Sequence, residues 1–402
     1  MALNVKVGLI GVFDMLKFKK MSAVREKKIE STPANEITGE FPINNNAKAL
    51  HPDFLKLVIE EITDHDKAGA KTFVFKNADG GALPSFRAGQ YLSVKEKIGD
   101  SFVTRPYSIS SSPRQASEGK IAITVKSNPS GFAAEHFLND WKVGDTVITS
   151  APQGQFYYEG LRDAKDVIAV AGGSGITPFL SMAAAIRDGI EDFNLTVLFG
   201  SRTEESILFK EQFDSIIADT SKVKVVYVLS DEEKDGFEHG FINADLIKKY
   251  APSGDYSVFI CGPEAMYRFL EGELPKLNLL PKFIRRELLG VTKKVWEQPG
   301  YPAECKDKNF TITVKQGPTE QVISASANES VLTALERAGI KAPSRCRSGE
   351  CGWCRSRLVS GTVFVPAENE GRRFTDIEFN YIHPCASFAT SDMVIEIPGE
   401  YY

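Results

Sequence analysis

The chain has 402 residues, which at about 150 residues per domain implies two or three domains. Hydrophobic residues make up 42%, charged residues 25% and aromatics 10%, an average globular composition that excludes a disordered chain, a collagen-like chain and a coiled-coil rod. The 48 basic and 53 acidic residues leave a net charge of −5, which gives no general electrostatic attraction to nucleic acid or to an anionic membrane.

Residues 1–20 are apolar with a basic end. A signal peptide would put its charge first, and here Lys6 and Asp14 interrupt the run and the lysines follow it. The segment reads as a poorly ordered tail or as an amphipathic helix that touches a partner or a membrane surface. Residues 21–50, with Pro33, Gly39, Pro42 and the run Asn44–Asn46, have linker composition. From about Asp53, short apolar runs (LKLVIEEI, KTFVFK, QYLSVKE, IAITVKS, DTVITSAP) alternate with Gly, Asp and Pro turns, which predicts a small antiparallel barrel. From about Asp163, strand-length runs (DVIAVA, LTVLFG, KVKVVYVLS, YSVFIC) alternate with helical segments, which predicts a doubly wound parallel sheet. Val167–Ile186 is uncharged and long enough to span a bilayer, but Gly172, Gly173, Gly175 and Pro178 divide it into a buried strand, a turn and a helix. Residues 291–306 read as a linker. From Asn309, a hairpin (NFTITVKQG, EQVISASA), a helix closed by Gly339 and a cysteine-bearing loop form a third pattern. The expected division is 1–51 extension, 52–161 barrel, 162–290 α/β domain, 291–306 linker and 307–402 third domain. The protein reads as soluble and cytoplasmic.

Four of the six cysteines fall within 40 residues, as Cys346-x4-Cys351-x2-Cys354 and, thirty residues on, Cys385. Six in 402 is too sparse for a disulfide scaffold, and structural zinc sites pair their ligands as two close couples. The spacing is that of plant-type 2Fe–2S ligation. Ser348, Gly349 and Gly352 let the backbone turn closely enough to aim amide N–H groups at sulfur. Upstream, Arg105-Pro106-Tyr107-Ser108 ends a barrel strand. Gly172-Gly173-Ser174-Gly175-Ile176-Thr177-Pro178 joins a strand to a helix, where glycines let a pyrophosphate approach the helix N-terminus. Cys261-Gly262-Pro263-Glu264-Ala265-Met266 follows the last core strand.

Taken together, residues 52–402 resemble the ferredoxin–NADP reductase family fused to a plant-type ferredoxin domain, as in reductase components of multicomponent oxygenases. The resemblance implies a flavin-binding barrel, a doubly wound nucleotide domain and a β-grasp ferredoxin domain. In the R-x-Y-S motif, Arg105 would pair with a flavin phosphate, Tyr107 would lie against the isoalloxazine and Ser108 would bond near its reactive edge. Thr124-Val125-Lys126 matches the next flavin-lining strand. Gly131-Phe132-Ala133-Ala134 matches the G-x-x-S phosphate turn with the serine lost. Some relatives with this domain order bind FMN; the Ile109–Pro113 segment and Pro152-x-Gly154-x-Phe156 favour FAD, with Phe156 or Tyr157 either stacking on adenine or packing in the core. The G-x-G-I-x-P turn would put Thr177 near the nicotinamide, and C-G-P-x-x-M would put Cys261 beside the hydride locus, with Met266 and Pro263 in support. Ser201-Arg202 would face the adenosine ribose, leaving NADH and NADPH open. Arg286–Gly290 resembles the end of the reductase module, and Cys305 matches nothing. Arg345, Arg347, Arg355 and Arg357 surround the cysteines in a domain whose net charge from Asp307 onward is only −2. They either dock an acidic partner or pair within the chain.

The implied activity follows from electron counting. A nicotinamide gives electrons in pairs, a cluster takes them singly, and a flavin must stand between. The expected acceptor is a separate redox protein such as an oxygenase. The alternatives are a stand-alone reductase of a small molecule and a redox-responsive binding protein.

Overall fold

The computed structural model describes residues 9–31, 41–128 and 131–399. They fall into two units, one up to Ala49 and one from Leu50 onward. In the first, α1 (Leu9–Glu30) and α2 (Pro42–Leu50) replace much of the expected linker. Among its described side chains, α1 exposes Val12, Phe13, Leu16, Met21 and Val24. The polar run Asn44–Asn46 sits inside α2, which buries nothing. Residues 1–8 and 32–40 lie outside the described residues.

The second unit begins with β1 (Phe54–His65), β2 (Ala70–Asn77), β3 (Tyr91–Ile98), β4 (Ser101–Ser108), β5 (Ile121–Lys126) and β6 (Thr146–Ser150). Their order is β4-β3-β6-β1-β2-β5, all antiparallel. A bridge between Ile109 and Ile123 curls the two edges together into a barrel-like sheet. Alternation puts Leu57, Ile59, Phe73 and Phe75 inside, each fully buried side chain contributing about 1.5–3 kcal/mol. Two helices flank this sheet, α3 (Pro113–Ser117), capped by Ser112, and α4 (Phe132–Asp140).

The α/β layer comprises β7 (Asp166–Gly172), α5 (Thr177–Arg187), β8 (Asn194–Ser201), α6 (Lys210–Asp219), β9 (Val223–Leu229), β10 (Glu238–His239), α7 (Ala244–Tyr250), β11 (Tyr256–Cys261), α8 (Glu264–Glu273) and β12 (Ile284–Arg286). Its six parallel strands run β10-β9-β8-β7-β11-β12. Period-2 alternation along β7 feeds two cores: Val167, Ala169 and Ala171 meet residues of α5 and α6, whereas Ile168 and Val170 meet residues of α7 and α8. The order reverses on either side of β7, so the carboxyl ends of β7 and β11 flank the crevice where such sheets bind ligands.

In the third layer, β13 (Asn309–Gln316), β14 (Thr319–Ser326), α9 (Val331–Arg337), β15 (Ser356–Ser360), β16 (Val363–Phe364), α10 (Phe374–Glu378), β17 (Tyr381–Ile382), β18 (Phe388–Ala389) and β19 (Met393–Glu396) build a sheet ordered β14-β13-β19-β15-β17, with β16 paired to β18 beside it. Ser330 caps α9, and Gly339 at φ 70° ends its last turn. Residues 291–306 are not a loose linker. Tyr301 packs edge-on against Phe364, and Gln298 bonds Glu368 at 3.0 Å. Cys305 is buried there, its thiol 3.7 Å from the Thr390 carbonyl.

Candidate active site at a three-domain junction

A cavity of about 570 Å³ opens where the three layers meet. The barrel contributes Pro106, Tyr107, Ser108, Thr124, Lys126 and Ala134. The α/β layer contributes Gly172, Gly173, Ser174, Gly175 and Thr177 from one turn and Cys261, Gly262 and Pro263 from the other. The far wall runs through Glu287, Gly290 and Thr292 to Asn369. Most residues expected from the motifs therefore face one space.

Gly175 is required by the backbone of the facing turn, whereas Gly172 and Gly262 are crowded by side chains of that turn and of α8. A Cβ at Gly175 would sit 2.1 Å from the Cys261 carbonyl oxygen, and one at Gly262 would strike the Met266 side chain at 2.2 Å. The two turns interlock, and Met266 acts as packing behind Gly172 and Gly262 rather than as wall. Gly173, at φ 55°, faces Lys126 Nζ across the domain boundary. Burial lowers the Lys126 pKa below the usual lysine value. The Thr177 hydroxyl donates to the Ser174 carbonyl at 3.0 Å. Burial pushes the Cys261 thiol up, so it stays a neutral thiol. Glu287 is itself buried, its Oε1 has no hydrogen-bond partner, and burial pushes its carboxyl well up. Tyr267 holds the segment by donating to the Glu287 carbonyl at 2.5 Å.

Other expected residues lie elsewhere. Arg105 is not on the cavity wall: its Nη1 donates to the Thr104 carbonyl (2.9 Å) and to Glu336 (3.3 Å). Val125 and Ala133 point into the barrel core, Pro178 is buried at the start of α5, and Phe132 is 56% exposed. At Gly131, the first turn of α4 carries Glu135, which accepts from Ser127 and from the Asn128 amide. Phe156 packs against Phe179 and Phe259 in the core, and Tyr157 lies under the Arg87 guanidinium. Ser201 has a buried hydroxyl without a partner, and Arg202, 82% exposed, bonds Asp231 at 2.7 Å.

In the cysteine loop, Arg347 (φ 61°), Gly349 (91°) and Gly352 (69°) adopt left-handed backbone. This aims the amides of Ser348 and Cys351 at Cys346 Sγ, at 3.5 and 3.4 Å. Cys354 Sγ lies 3.3 Å from Cys385 Sγ, and Cys346, Cys354 and Cys385 are buried while Cys351 is exposed. Donation from the Cys351 and Cys385 thiols, and to a smaller extent from the Ser348 side chain and the Cys351 amide, lowers the Cys346 pKa. Buried thiols facing backbone donors suit an anionic thiolate-bound cluster. The Gly290 amide donates to the Cys346 carbonyl at 3.2 Å, and Asn369 links Thr292 (2.6 Å) to the Ser348 carbonyl (3.1 Å). The cavity wall and the cysteine loop are thus one bonded structure. No motif announced Thr292 or Asn369, whereas Glu287 lies in a segment that the family resemblance marks.

The four loop arginines pair within the chain. Arg345 meets Asp53 (3.6 Å) and stacks over Trp353, Arg347 pairs with Glu336, Arg355 with Asp376 (2.5 Å) and Arg357 with Glu396 (3.6 Å).

Three family models match the chain, one in each layer. An oxidoreductase FAD-binding domain matches residues 59–158, an oxidoreductase NAD-binding domain 169–272 and a 2Fe-2S iron-sulfur cluster binding domain 314–390. Phthalate dioxygenase reductase from Burkholderia cepacia is 31% identical over 316 residues, covering 77% of this chain and 87% of that protein. NADH-cytochrome b5 reductase 1 from Candida glabrata is 34% identical over 218 residues, covering 52% of this chain and 74% of the relative. A solved phthalate dioxygenase reductase, titled as a modular structure for electron transfer from pyridine nucleotides to [2Fe-2S], superposes with a TM-score of 0.59 at 27% identity, covering 86% of this chain and 98% of that one. The chain belongs to the family of phthalate dioxygenase reductase and is an NAD(P)H oxidoreductase with an FAD-binding, an NAD-binding and a 2Fe–2S domain.

Proposed function

We propose that this chain is the cytoplasmic reductase component of a multicomponent oxygenase, taking hydride from NADH and delivering electrons singly to a separate redox protein. The observation that carries this reading is the single cavity whose walls come from the flavin motif, the nucleotide turns and the segment bonded to the cysteine loop. The relatives named as reductases of dioxygenases support the partner class. Among the described residues no helix is long and apolar enough to cross a membrane.

Tyr107, Ser108, Thr124 and Lys126 would hold FAD, with Arg105 offering Nε and Nη2 to a phosphate. The turns at Gly172–Thr177 and Gly262–Pro263 would hold the nicotinamide nucleotide, and Cys346, Cys351, Cys354 and Cys385 the cluster. Bound flavin converts an electron pair into single electrons. Cys261, kept neutral by burial, gives shape and a weak donor at the hydride locus instead of a nucleophile. Glu287, kept protonated by burial, offers an O–H into the same space. The Lys126 ammonium supplies the positive charge that favours electron-rich flavin. Arg202 is engaged by Asp231, and that carboxylate would repel a 2′-phosphate, so NADH is preferred.

The test compares two acceptors in a Cys351→Ser variant. NADH-driven reduction of a one-electron acceptor protein is expected to fall to background while reduction of ferricyanide by the flavin persists. Retention of protein reduction would contradict the assignment of the cysteines and of the electron's route.

A further inference from the structure

Three charged side chains meet where β4 faces α9. The Glu336 carboxylate, 6% exposed, lies between two guanidinium groups. Arg105 Nη1 approaches both of its oxygens at 3.3 Å, and Arg347 Nη1 contacts Oε1 from the other side. The Thr104 amide also points at Oε1, at 3.4 Å. Arg347, 4% exposed, directly follows Cys346 and holds the left-handed turn that starts the cysteine loop. Arg105 belongs to the flavin motif. One carboxylate of the ferredoxin layer therefore joins the flavin motif to the cysteine loop. Around it the junction is closed by weaker contacts, with Lys341 Nζ over the Phe102 ring at 4.8 Å and Arg345 against Asp53. A buried triad of this kind adds little net stability compared with an apolar contact, but it fixes geometry because each charge needs its partners.

We propose that Glu336 is a positioning residue for electron transfer from flavin to cluster, seating the ferredoxin layer on the barrel by tying Arg105 to Arg347. The proposal rests on reading Arg105 and Cys346 as cofactor-site residues. Because Arg105 uses only Nη1 for Glu336 and Thr104, one guanidinium serves both the seating of the ferredoxin layer and the phosphate. Removing the Glu336 charge leaves one unbalanced positive charge beside the flavin motif, on Arg105, and one beside the cysteine loop, on Arg347. Each eases reduction of its neighbouring centre, so the driving force between the two changes little. Removing the charge also releases the seating, which makes transfer slower. A slower rate therefore reports position.

The experiment uses the holoenzyme of Glu336→Gln, with flavin and iron content measured first. In anaerobic stopped flow with NADH, flavin bleaching is expected within about twofold of wild type, and cluster reduction at least about tenfold slower, as loss of a fixed geometry costs. Amide exchange in β4, including Thr104, is expected to accelerate, a readout independent of turnover. Glu336→Asp keeps the charge and reaches Arg105 less well, so an intermediate rate is expected even if the glutamine variant folds poorly. Unchanged cluster reduction in a loaded variant overturns the proposal, as does parallel slowing of both phases. Loss of the cluster with flavin retained also overturns it, because Glu336 would then only hold the loop. A wild-type chain that binds no flavin or iron would instead sink the site assignment.

Discussion

Gly175→Ala probes the interlocked turns most sharply. The new Cβ would lie 2.1 Å from the Cys261 carbonyl oxygen, 2.4 Å from its carbon and 2.7 Å from Gly262 Cα. Ordinary contact begins near 3.4 Å, so the turns must part by about 1.3 Å. The Cβ is fixed by its own backbone and all three atoms it meets are backbone, so no side-chain rotation relieves the clash. A displacement of about 1 Å at a reacting centre costs about 100-fold in rate, and such overpacking costs about 1–3 kcal/mol in stability. The barrel and the cysteine loop are untouched, so flavin and iron content should remain normal. Single-turnover bleaching of the flavin by NADH is the assay, with a thermal melt alongside. The expected result is bleaching about 100-fold slower in a loaded, folded variant. A rate within about threefold of wild type would refute the argument that the turns' close approach sets the hydride geometry.

Other outcomes follow from the same structure. Gly349→Ala should lose the cluster and keep the flavin, because its Cβ would meet the Asn369 carbonyl at 2.3 Å on a residue at φ 91°; iron content and visible absorption check this. Asp231→Asn should free Arg202 to bond a 2′-phosphate and raise kcat/KM for NADPH about tenfold, the worth of one charge-assisted hydrogen bond, while NADH changes little. Steady-state kinetics with both nucleotides decides that. Burial raises the folded-state pKa of Glu287 above its unfolded value, so the stability it contributes is complete below the ordinary glutamate range. That contribution is lost as pH rises from the ordinary range through the raised pKa. Glu287→Gln should flatten this decline in melts taken from pH 5 to 8, and an unchanged slope would contradict the burial argument.

The strands and the paired motifs were legible in the sequence because their signals are local. Alternation marks β1 and β2, and glycines at a strand end mark turns whose tightness the structure requires. The cysteine spacing was equally local. Contacts between layers carry no such periodicity. Arg105 belongs to a recognisable motif, yet its partner Glu336 is 231 residues away on a helix that reads as ordinary amphipathic sequence. The serine run after Ser108 likewise serves the junction: Ser111 accepts from Ser181 through its carbonyl at 2.7 Å, and Ser112 donates to Asp188 at 2.5 Å. Phe156 could have stacked on adenine or packed in the core, and only the neighbouring Phe179 and Phe259 decide for the core. The basic loop left two readings open for the same reason, since Asp53, Asp376 and Glu396, which pair with its arginines, are distant from them in sequence. In the tail, composition suggested a linker, whereas α2 accommodates three consecutive asparagines.

The central claim is that one chain carries electrons from a nicotinamide through flavin to its own cluster. Anaerobic mixing of the holoprotein with NADH, followed by absorption and by electron paramagnetic resonance of frozen samples, tests it most directly. The account predicts that the flavin bleaches first and the reduced-cluster signal then grows in the same molecules, at a rate independent of protein concentration. A flavin that bleaches while the cluster stays oxidised, or a cluster signal whose rate rises with protein concentration, would contradict it.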